Sequence, residues 1–196
     1  MGLAVRDHEY HTYGDYRTWP EDVRYELIDG EAYLMAPAPT IGHQIIVGEI
    51  YYQLRQALQG HPCRVLLAPV DVLLPRADEA DDRVDTVVQP DVLVVCDPDK
   101  VANKGVRGAP DLVVEVLSPS TAGHDMVKKR RVYERHGVRE YWLVHPTDRV
   151  LTVYSLSGSE YGKPETQILE GHTPVAVLDG VRIDWDTLVA SLPAAE

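Results

Sequence analysis

The sequence lacks the features that mark zinc-binding, secreted and membrane-spanning proteins. It has two cysteines, Cys63 and Cys96, which form no CxxC pair and no plausible zinc set. Cys96 ends an apolar run, so we expect a small, buried, hydrophobic residue in a reducing compartment. No apolar run reaches membrane-spanning length, and the N-terminal residues contain no hydrophobic signal-peptide segment. We therefore expect a cytoplasmic protein without a membrane anchor.

Positive charge is also scarce. Lys and Arg number 19 and Asp and Glu number 31, so the formal net charge is −12. Proteins that coat nucleic acid over a broad surface neutralise many phosphates with Lys and Arg, and this balance argues against that class. The negative net charge is still compatible with a local basic strip. It is also compatible with a carboxylate cluster that a divalent metal neutralises. The length predicts a single domain over residues 1–196.

The N-terminal part predicts a β-hairpin. Residues 1–20 are polar and favour a ragged end or a short helix. In residues 24–37, the strong turn signal Asp29-Gly30 lies between two strand-like runs. Glu26 lies shortly before this turn. Its carboxylate either faces solvent or turns toward a metal site.

A long amphipathic helix follows the hairpin. Over residues 41–58 apolar side chains recur at three- and four-residue steps, and Thr40 is a suitable N-cap. His43 lies in the first helical turn. It either belongs to a functional site or has an ordinary capping or surface role. Residues 64–74 predict a strand pair or a bent strand, and the acidic segment 77–85 predicts a solvated loop.

Two consecutive apolar strands then each contain a carboxylate. In residues 89–98 both faces are apolar apart from Asp91, which is typical of a buried central strand. In residues 110–117 Glu115 interrupts an apolar run, and a buried carboxylate without a partner or a metal is costly. Asp111 lies four residues from Glu115, about 13 Å along a strand. We therefore expect Glu115 to meet Asp91 across neighbouring strands, with Asp111 capping the loop.

The next helix is predicted to turn one lysine toward the core. A helical wheel groups the following residues on its apolar side: Met126, Lys129, Val132, Tyr133 and His136. A lysine in the core needs carboxylates nearby, and Asp91 and Glu115 are the candidates. The alternative is that the stem of Lys129 is buried while its ammonium group reaches solvent.

A basic strip accompanies this helix and consists of Lys128, Arg130, Arg131, Arg135 and Arg139. It either guides a nucleic-acid backbone or is an ordinary solvated helix face. Gly137 ends the helix, and antiparallel strands follow at residues 140–146 and 150–156. Short edge strands and a small helix at residues 186–192 complete the chain.

This order of elements predicts an α/β fold with a mixed β-sheet flanked by helices. Several stretches occur in a characteristic order: YELIDGE, the helix opening with His43, QPDVLVV, PDLVVEVLSPST, and the spacing of Asp125, Lys129 and Tyr133 followed by GVREYW. In these stretches, which cover roughly residues 20–155, the chain resembles the Uma2 family, also called DUF820. Members of this family have the restriction-endonuclease-like, PD-(D/E)XK fold.

The resemblance implies a metal-dependent endonuclease that hydrolyses nucleic-acid phosphodiester bonds, with DNA as the expected partner. Asp91 matches the aspartate of the PD element and Glu115 matches the second acid, so these two would bind Mg²⁺ or Mn²⁺. The superfamily usually has lysine two residues after that acid, where this chain has Leu117. In this family a lysine on the following helix takes that place, and here it is Lys129.

Glu26 and His43 match family positions at the edge of the site. The expected catalytic set is therefore Asp91, Glu115, Lys129, His43 and Glu26. The main alternative is a non-catalytic, dimerising binding module that keeps the fold, with the buried acids and lysine as a structural ion-pair cluster. A hydrolase of a different phosphate substrate is a weaker alternative. Exposed strands in the C-terminal half would allow a homodimer.

Overall fold

The computed structural model describes residues 9–20, 23–35, 39–118 and 122–193. Parts of three predicted segments, residues 1–8, 36–37 and 119–121, lie outside this description. The helices are α1 (Tyr13–Tyr16), α2 (Ile41–Ala57), α3 (Arg130–His136) and α4 (Trp185–Ala190), and a π-helical segment (His124–Lys129) leads directly into α3. The strands are β1 (Tyr25–Ile28), β2 (Glu31–Leu34), β3 (Arg64–Leu67), β4 (Val72–Leu73), β5 (Val87–Val88), β6 (Val92–Val95), β7 (Val101–Ala102), β8 (Gly105–Arg107), β9 (Leu112–Val116), β10 (Glu140–His145), β11 (Val150–Ser157), β12 (Glu160–Tyr161), β13 (Glu165–Ile168), β14 (His172–Pro174) and β15 (Arg182–Asp184).

The main sheet has the strand order β12-β11-β10-β9-β6-β3, and β13 also pairs with β11. β9 and β10 run parallel, whereas β6 and β9 run antiparallel. A parallel pair needs a crossover connection, which the π-helical segment and α3 supply. The N-terminal hairpin belongs to a second sheet with the order β2-β1-β5-β4-β8-β7. The predicted mixed α/β fold, with its hairpin and its C-terminal antiparallel strands, is confirmed.

Both faces of the main sheet are covered, which explains the unbroken apolar character of its central strands. Successive side chains of a strand point to opposite faces. In β9, Leu112 and Val114 therefore pack in the cluster that contains Ile50 of α2. Val113 packs in the other cluster, together with Val132 of α3. Glu115 shares the face of Val113, so its carboxylate lies on the α3 side of the sheet.

The local turn and cap signals have the predicted effect. Asp29 and Gly30 form the hairpin turn with φ angles of 53° and 80°. Thr40 Oγ1 accepts a hydrogen bond from the His43 N–H at 3.2 Å and caps α2. Gly137 ends α3 with φ 84°, a left-handed conformation that favours glycine. Within the described ranges, no helix is long and apolar enough to cross a membrane.

The expectation that Cys96 is a free, buried thiol is wrong. Cys63 and Cys96 form a disulfide with an S–S distance of 2.04 Å. The pairing of β3 with β6 places Arg64 opposite Val95, and the two cysteines are the next residues outward in this register. The sequence separation of 33 residues hid this proximity, because it depends on strand register and not on a local motif.

The prediction of a fully solvated acidic loop at residues 77–85 is also wrong at its C-terminal end. Asp85 is 4% exposed, and its Oδ2 lies 3.2 Å from Arg76 Nη2. The Tyr10 hydroxyl donates to the same carboxylate oxygen at 3.0 Å. The segment becomes buried here because it leads directly into β5 of the second sheet.

Candidate functional site

Asp91 and Glu115 lie beside each other at one end of the β6–β9 pair. The antiparallel register pairs Val92 with Val114, so Asp91 and Glu115 are the next residues outward. The Asp91 side chain is 22% exposed and the Glu115 side chain is 4% exposed. The structure thus brings these two carboxylates together, with Asp91 nearer to solvent.

One oxygen of Asp91 is held by the protein. The Val116 N–H donates to Asp91 Oδ2 at 2.8 Å, and His43 Nε2 lies 3.3 Å from the same oxygen. His43 reaches this position from the first turn of α2, and its buried Nδ1 has no hydrogen-bond partner among the described residues. Within the same part of the chain, no hydrogen bond or ion pair reaches Asp91 Oδ1.

Lys129 is inside the protein, as the helical wheel predicted, and of its two predicted partners it contacts Glu115 but not Asp91. Its Nζ lies 2.9 Å from Glu115 Oε1, 2.9 Å from Glu26 Oε1 and 3.5 Å from Asp125 Oδ1. Among the described contacts of Lys129 there is none with Asp91, so that part of the expectation is wrong. The snorkelling alternative is also wrong, because Lys129 is 4% exposed.

Lys129, Glu115, Glu26 and Asp125 form a buried ion-pair cluster. The helical wheel did not predict that Asp125 belongs to it. The π-helical segment has wider turns than an α-helix, so a wheel drawn at the α-helical angle loses its phase there. Met126 is consequently 40% exposed, whereas Asp125 is 4% exposed. The four-residue spacing from Asp125 to Lys129 and then to Tyr133 was the available signal.

Glu26 is buried, so the solvent-facing alternative for this residue is wrong. It is 5% exposed, and its Oε1 also accepts the Gln89 N–H at 2.8 Å. His124 Nε2 lies 3.4 Å from Glu26 Oε2. Both oxygens of Glu26 are therefore engaged by the protein, which leaves this side chain as a partner for Lys129.

The charges of this cluster set its protonation states. Burial raises the pKa of Glu115, and the nearby Asp125, Asp91 and Glu26 carboxylates add to the rise, so that it lies well above its usual value. Burial alone would lower the pKa of Lys129, but the carboxylates around it raise that pKa well above its usual value. Lys129 therefore stays an ammonium group, whereas burial and the neighbouring carboxylates disfavour the ionised form of Glu115.

Burial acts against ionised Glu26 as well, yet Lys129 and His124 outweigh it and lower the pKa of Glu26 to about 2. Glu26, Asp91, Glu115 and Asp125 thus supply four potential negative charges around the positive charge of Lys129. A buried carboxylate without a compensating charge either takes up a proton or binds a cation.

The two central carboxylates fit a hard divalent ion. Glu115 Oε1 accepts from Lys129 and from the Tyr133 hydroxyl, which lies at 2.8 Å, while no described residue forms a hydrogen bond or an ion pair with Oε2. In the described part of the chain, no group of three His, Cys, Asp or Glu side chains is arranged to hold a metal. A divalent ion held by two carboxylates takes its remaining ligands from backbone carbonyls, water or substrate. Mg²⁺ commonly keeps several waters and binds one or two carboxylates together with substrate phosphates.

The basic strip is largely paired within the protein. Its contacts join Lys128 to Tyr33, Arg130 to Glu134, Arg135 to Asp29, and Arg139 to Asp111. These partners favour the interpretation as a helix face with local contacts over a continuous track for phosphates. Asp111 also accepts the Cys96 N–H at 2.8 Å, so it holds the loop, as predicted from the sequence.

Comparison with known proteins adds independent information. The model of the family Uma2, described as "Putative restriction endonuclease", matches residues 13–190. The chain is 29% identical over 143 residues to the "Uncharacterized protein slr1290" of Synechocystis sp., and the match covers 71% of each chain. It also resembles the crystal structure of a "putative nuclease belonging to DUF820" from Anabaena variabilis, with a TM-score of 0.72, 20% identity, and coverage of 91% of this chain and 97% of that one.

Proposed function

The chain belongs to the Uma2 family, and we propose that it is a metal-dependent nuclease that hydrolyses phosphodiester bonds of DNA. The observation that carries this proposal is the pairing of Asp91 with Glu115 beside the ammonium group of Lys129. Each carboxylate is held by the protein through one oxygen and has a second oxygen with which no described residue forms a hydrogen bond or an ion pair. The family description, "Putative restriction endonuclease", supports this assignment.

Asp91 and Glu115 would hold Mg²⁺ or Mn²⁺, because carboxylate oxygens are preferred ligands of these ions. A bound ion polarises a phosphoryl oxygen and lowers the pKa of a bound water, which is the chemistry that phosphodiester hydrolysis needs. It would also offset the charge of Glu115, whose raised pKa reflects burial among other carboxylates.

Lys129 would stabilise negative charge that develops on the phosphate. Its raised pKa keeps it protonated, so it acts as a donor and a fixed positive charge, not as a base. Glu26 and Glu115 hold its Nζ at 2.9 Å each, and a charge fixed in advance costs no reorganisation during the reaction. Glu26 therefore acts through Lys129 and is a positioning residue in this proposal.

His43 has the geometry of a second positioning residue. Its Nε2 faces Asp91, and its Nδ1 is buried away from solvent. A residue that contacts a metal ligand from behind orients that ligand. We therefore assign to His43 the orientation of the Asp91 carboxylate.

The charge distribution favours binding to only a short stretch of the substrate backbone. With a net charge of −12 and a basic strip that is mostly paired internally, the protein can neutralise few phosphates beyond those at the site. Homodimer formation and a cytoplasmic location stay predictions. Sedimentation equilibrium of the purified chain would measure the oligomeric state.

A cleavage assay tests the proposed function. Supercoiled plasmid and single- and double-stranded oligonucleotides are incubated with wild-type protein, Asp91→Asn, Glu115→Gln and Asp111→Asn, in Mn²⁺, Mg²⁺ or EDTA. We expect cleavage by wild type and Asp111→Asn with either metal, and none with EDTA or with the other two variants. A folded wild type that binds no metal and cleaves none of these substrates would contradict the proposal. The cluster would then be structural, as in a non-catalytic binding module.

A further inference from the structure

We infer that Tyr133 is a positioning residue that orients the Glu115 carboxylate so that one of its oxygens is presented to the metal. The inference rests on the proposed metal site. Tyr133 lies in α3, four residues after Lys129, and its side chain is fully buried. Its hydroxyl donates to Glu115 Oε1 at 2.8 Å.

Two donors from the same helical region converge on one oxygen of Glu115. Lys129 Nζ donates to Oε1 at 2.9 Å, in addition to the Tyr133 hydroxyl. Rotation of the carboxylate out of this plane would weaken both hydrogen bonds, so the orientation of the group is fixed, with one oxygen on the two donors and the other turned away from them. Oε2 is then the oxygen that stays available for a ligand. Asp91 is oriented in the same way, because its Oδ2 is held by the Val116 N–H and by His43 and its Oδ1 is left for a ligand.

A tyrosine suits this role because its hydroxyl donates without adding charge. A phenol is protonated at neutral pH, so it orients the carboxylate and leaves its negative charge for a cation. A second ammonium group in the same place would also orient Glu115, but it would compete electrostatically with a metal. Tyr133 therefore orients the Glu115 carboxylate without neutralising its negative charge.

The surroundings hold the Tyr133 ring in place. Its ring centre lies 4.9 Å from that of Tyr141, and both rings are fully buried. The Tyr141 hydroxyl donates to the Asp125 carbonyl oxygen at 3.1 Å, which connects this packing to the π-helical segment. Tyr133 is therefore rigid enough to fix the group that it contacts.

The test is Tyr133→Phe, which removes the hydroxyl and keeps the ring. Tyr161→Phe is the matched control, because Tyr161 belongs to the same apolar cluster and its hydroxyl donates to the Val138 carbonyl oxygen at 3.0 Å. Mn²⁺ is titrated calorimetrically into wild type and both variants. We expect the Kd for Mn²⁺ to rise about 10-fold in Tyr133→Phe, the scale seen when an outer partner of a metal ligand is removed. We expect it to stay unchanged in Tyr161→Phe.

The outcomes separate this inference from the proposed function. Wild-type affinity for Mn²⁺ in Tyr133→Phe would overturn the role of Tyr133 and leave the metal site standing. A wild type that binds no Mn²⁺ would overturn the metal site itself, and the role of Tyr133 with it. Melting curves with and without Mn²⁺ give the same comparison for a variant of low stability, because a ligand that binds the folded state raises Tm.

Discussion

Asp91 and Asp111 accept equivalent hydrogen bonds at opposite ends of the β6–β9 strand pair. The Val116 N–H, at the end of β9, donates to Asp91 Oδ2 at 2.8 Å, and the Cys96 N–H, directly after β6, donates to Asp111 Oδ2 at 2.8 Å. Each aspartate follows a proline in the sequence. Only their surroundings differ, since Asp111 pairs with Arg139 whereas Asp91 is the neighbour of a second buried carboxylate.

Removal of the Lys129 charge should destabilise the protein strongly. Lys129→Met leaves Glu26 and Glu115 buried without the ammonium group that both contact. Breaking a buried pair in this way typically lowers the free energy of unfolding by about 3–5 kcal/mol. Urea unfolding at pH 7 measures the change. The double variant Lys129→Met/Glu115→Gln should recover part of it, and an equal or larger loss in the double variant would contradict this account.

Glu26 should contribute stability that acid removes. Its folded-state pKa is lowered from 4.5 to about 2, so the folded state binds its proton less readily than the unfolded state does. The contribution, about 3 kcal/mol, is complete above pH 4.5 and is lost as the pH falls toward 2.

Urea unfolding of wild type and Glu26→Gln over this pH range tests the prediction. The difference in unfolding free energy between the two proteins should shrink on acidification. The exposed Glu165→Gln is the control and should show no such trend. A difference for Glu26→Gln that is independent of pH would refute the assigned ion pair.

The disulfide should stabilise the protein under oxidising conditions. It closes a loop with a sequence separation of 33 residues, for which restriction of the unfolded chain corresponds to about 3–4 kcal/mol. Reduction with dithiothreitol should lower Tm, and the Cys63→Ala/Cys96→Ala variant should melt at the lower temperature in either buffer. Intact mass after alkylation without reductant checks the bond directly, because two alkylated cysteines would show that it is absent.

Much of the core could be predicted because it depends on local periodicity. Strand alternation placed Glu115 on one face of β9, and the cost of burying a carboxylate indicated Asp91 as its neighbour. The periodicity of apolar residues on the helical wheel likewise predicted that Lys129 faces the core. Hairpin and cap signals acted within a few residues, where sequence spacing and spatial distance agree.

The remaining features depend on contacts that local patterns do not encode. Glu26 joins the cluster because its strand belongs to the second sheet, next to β5 and Gln89. Asp125 became buried because a π-helical segment replaced the expected α-helical turns. The partner of Cys96 depended on the register of β3 against β6. Each of these required the arrangement of elements that are distant in the sequence.

Mn²⁺ titration of wild type, Asp91→Asn and Asp111→Asn tests the central claim most directly. Both substitutions remove one negative charge from an aspartate that holds a strand-end N–H, so the two variants are closely matched in their structural effect. We expect saturable binding in wild type and in Asp111→Asn, and no binding in folded Asp91→Asn. Equal Mn²⁺ binding in both variants, or none in wild type, would contradict a metal site at Asp91 and Glu115.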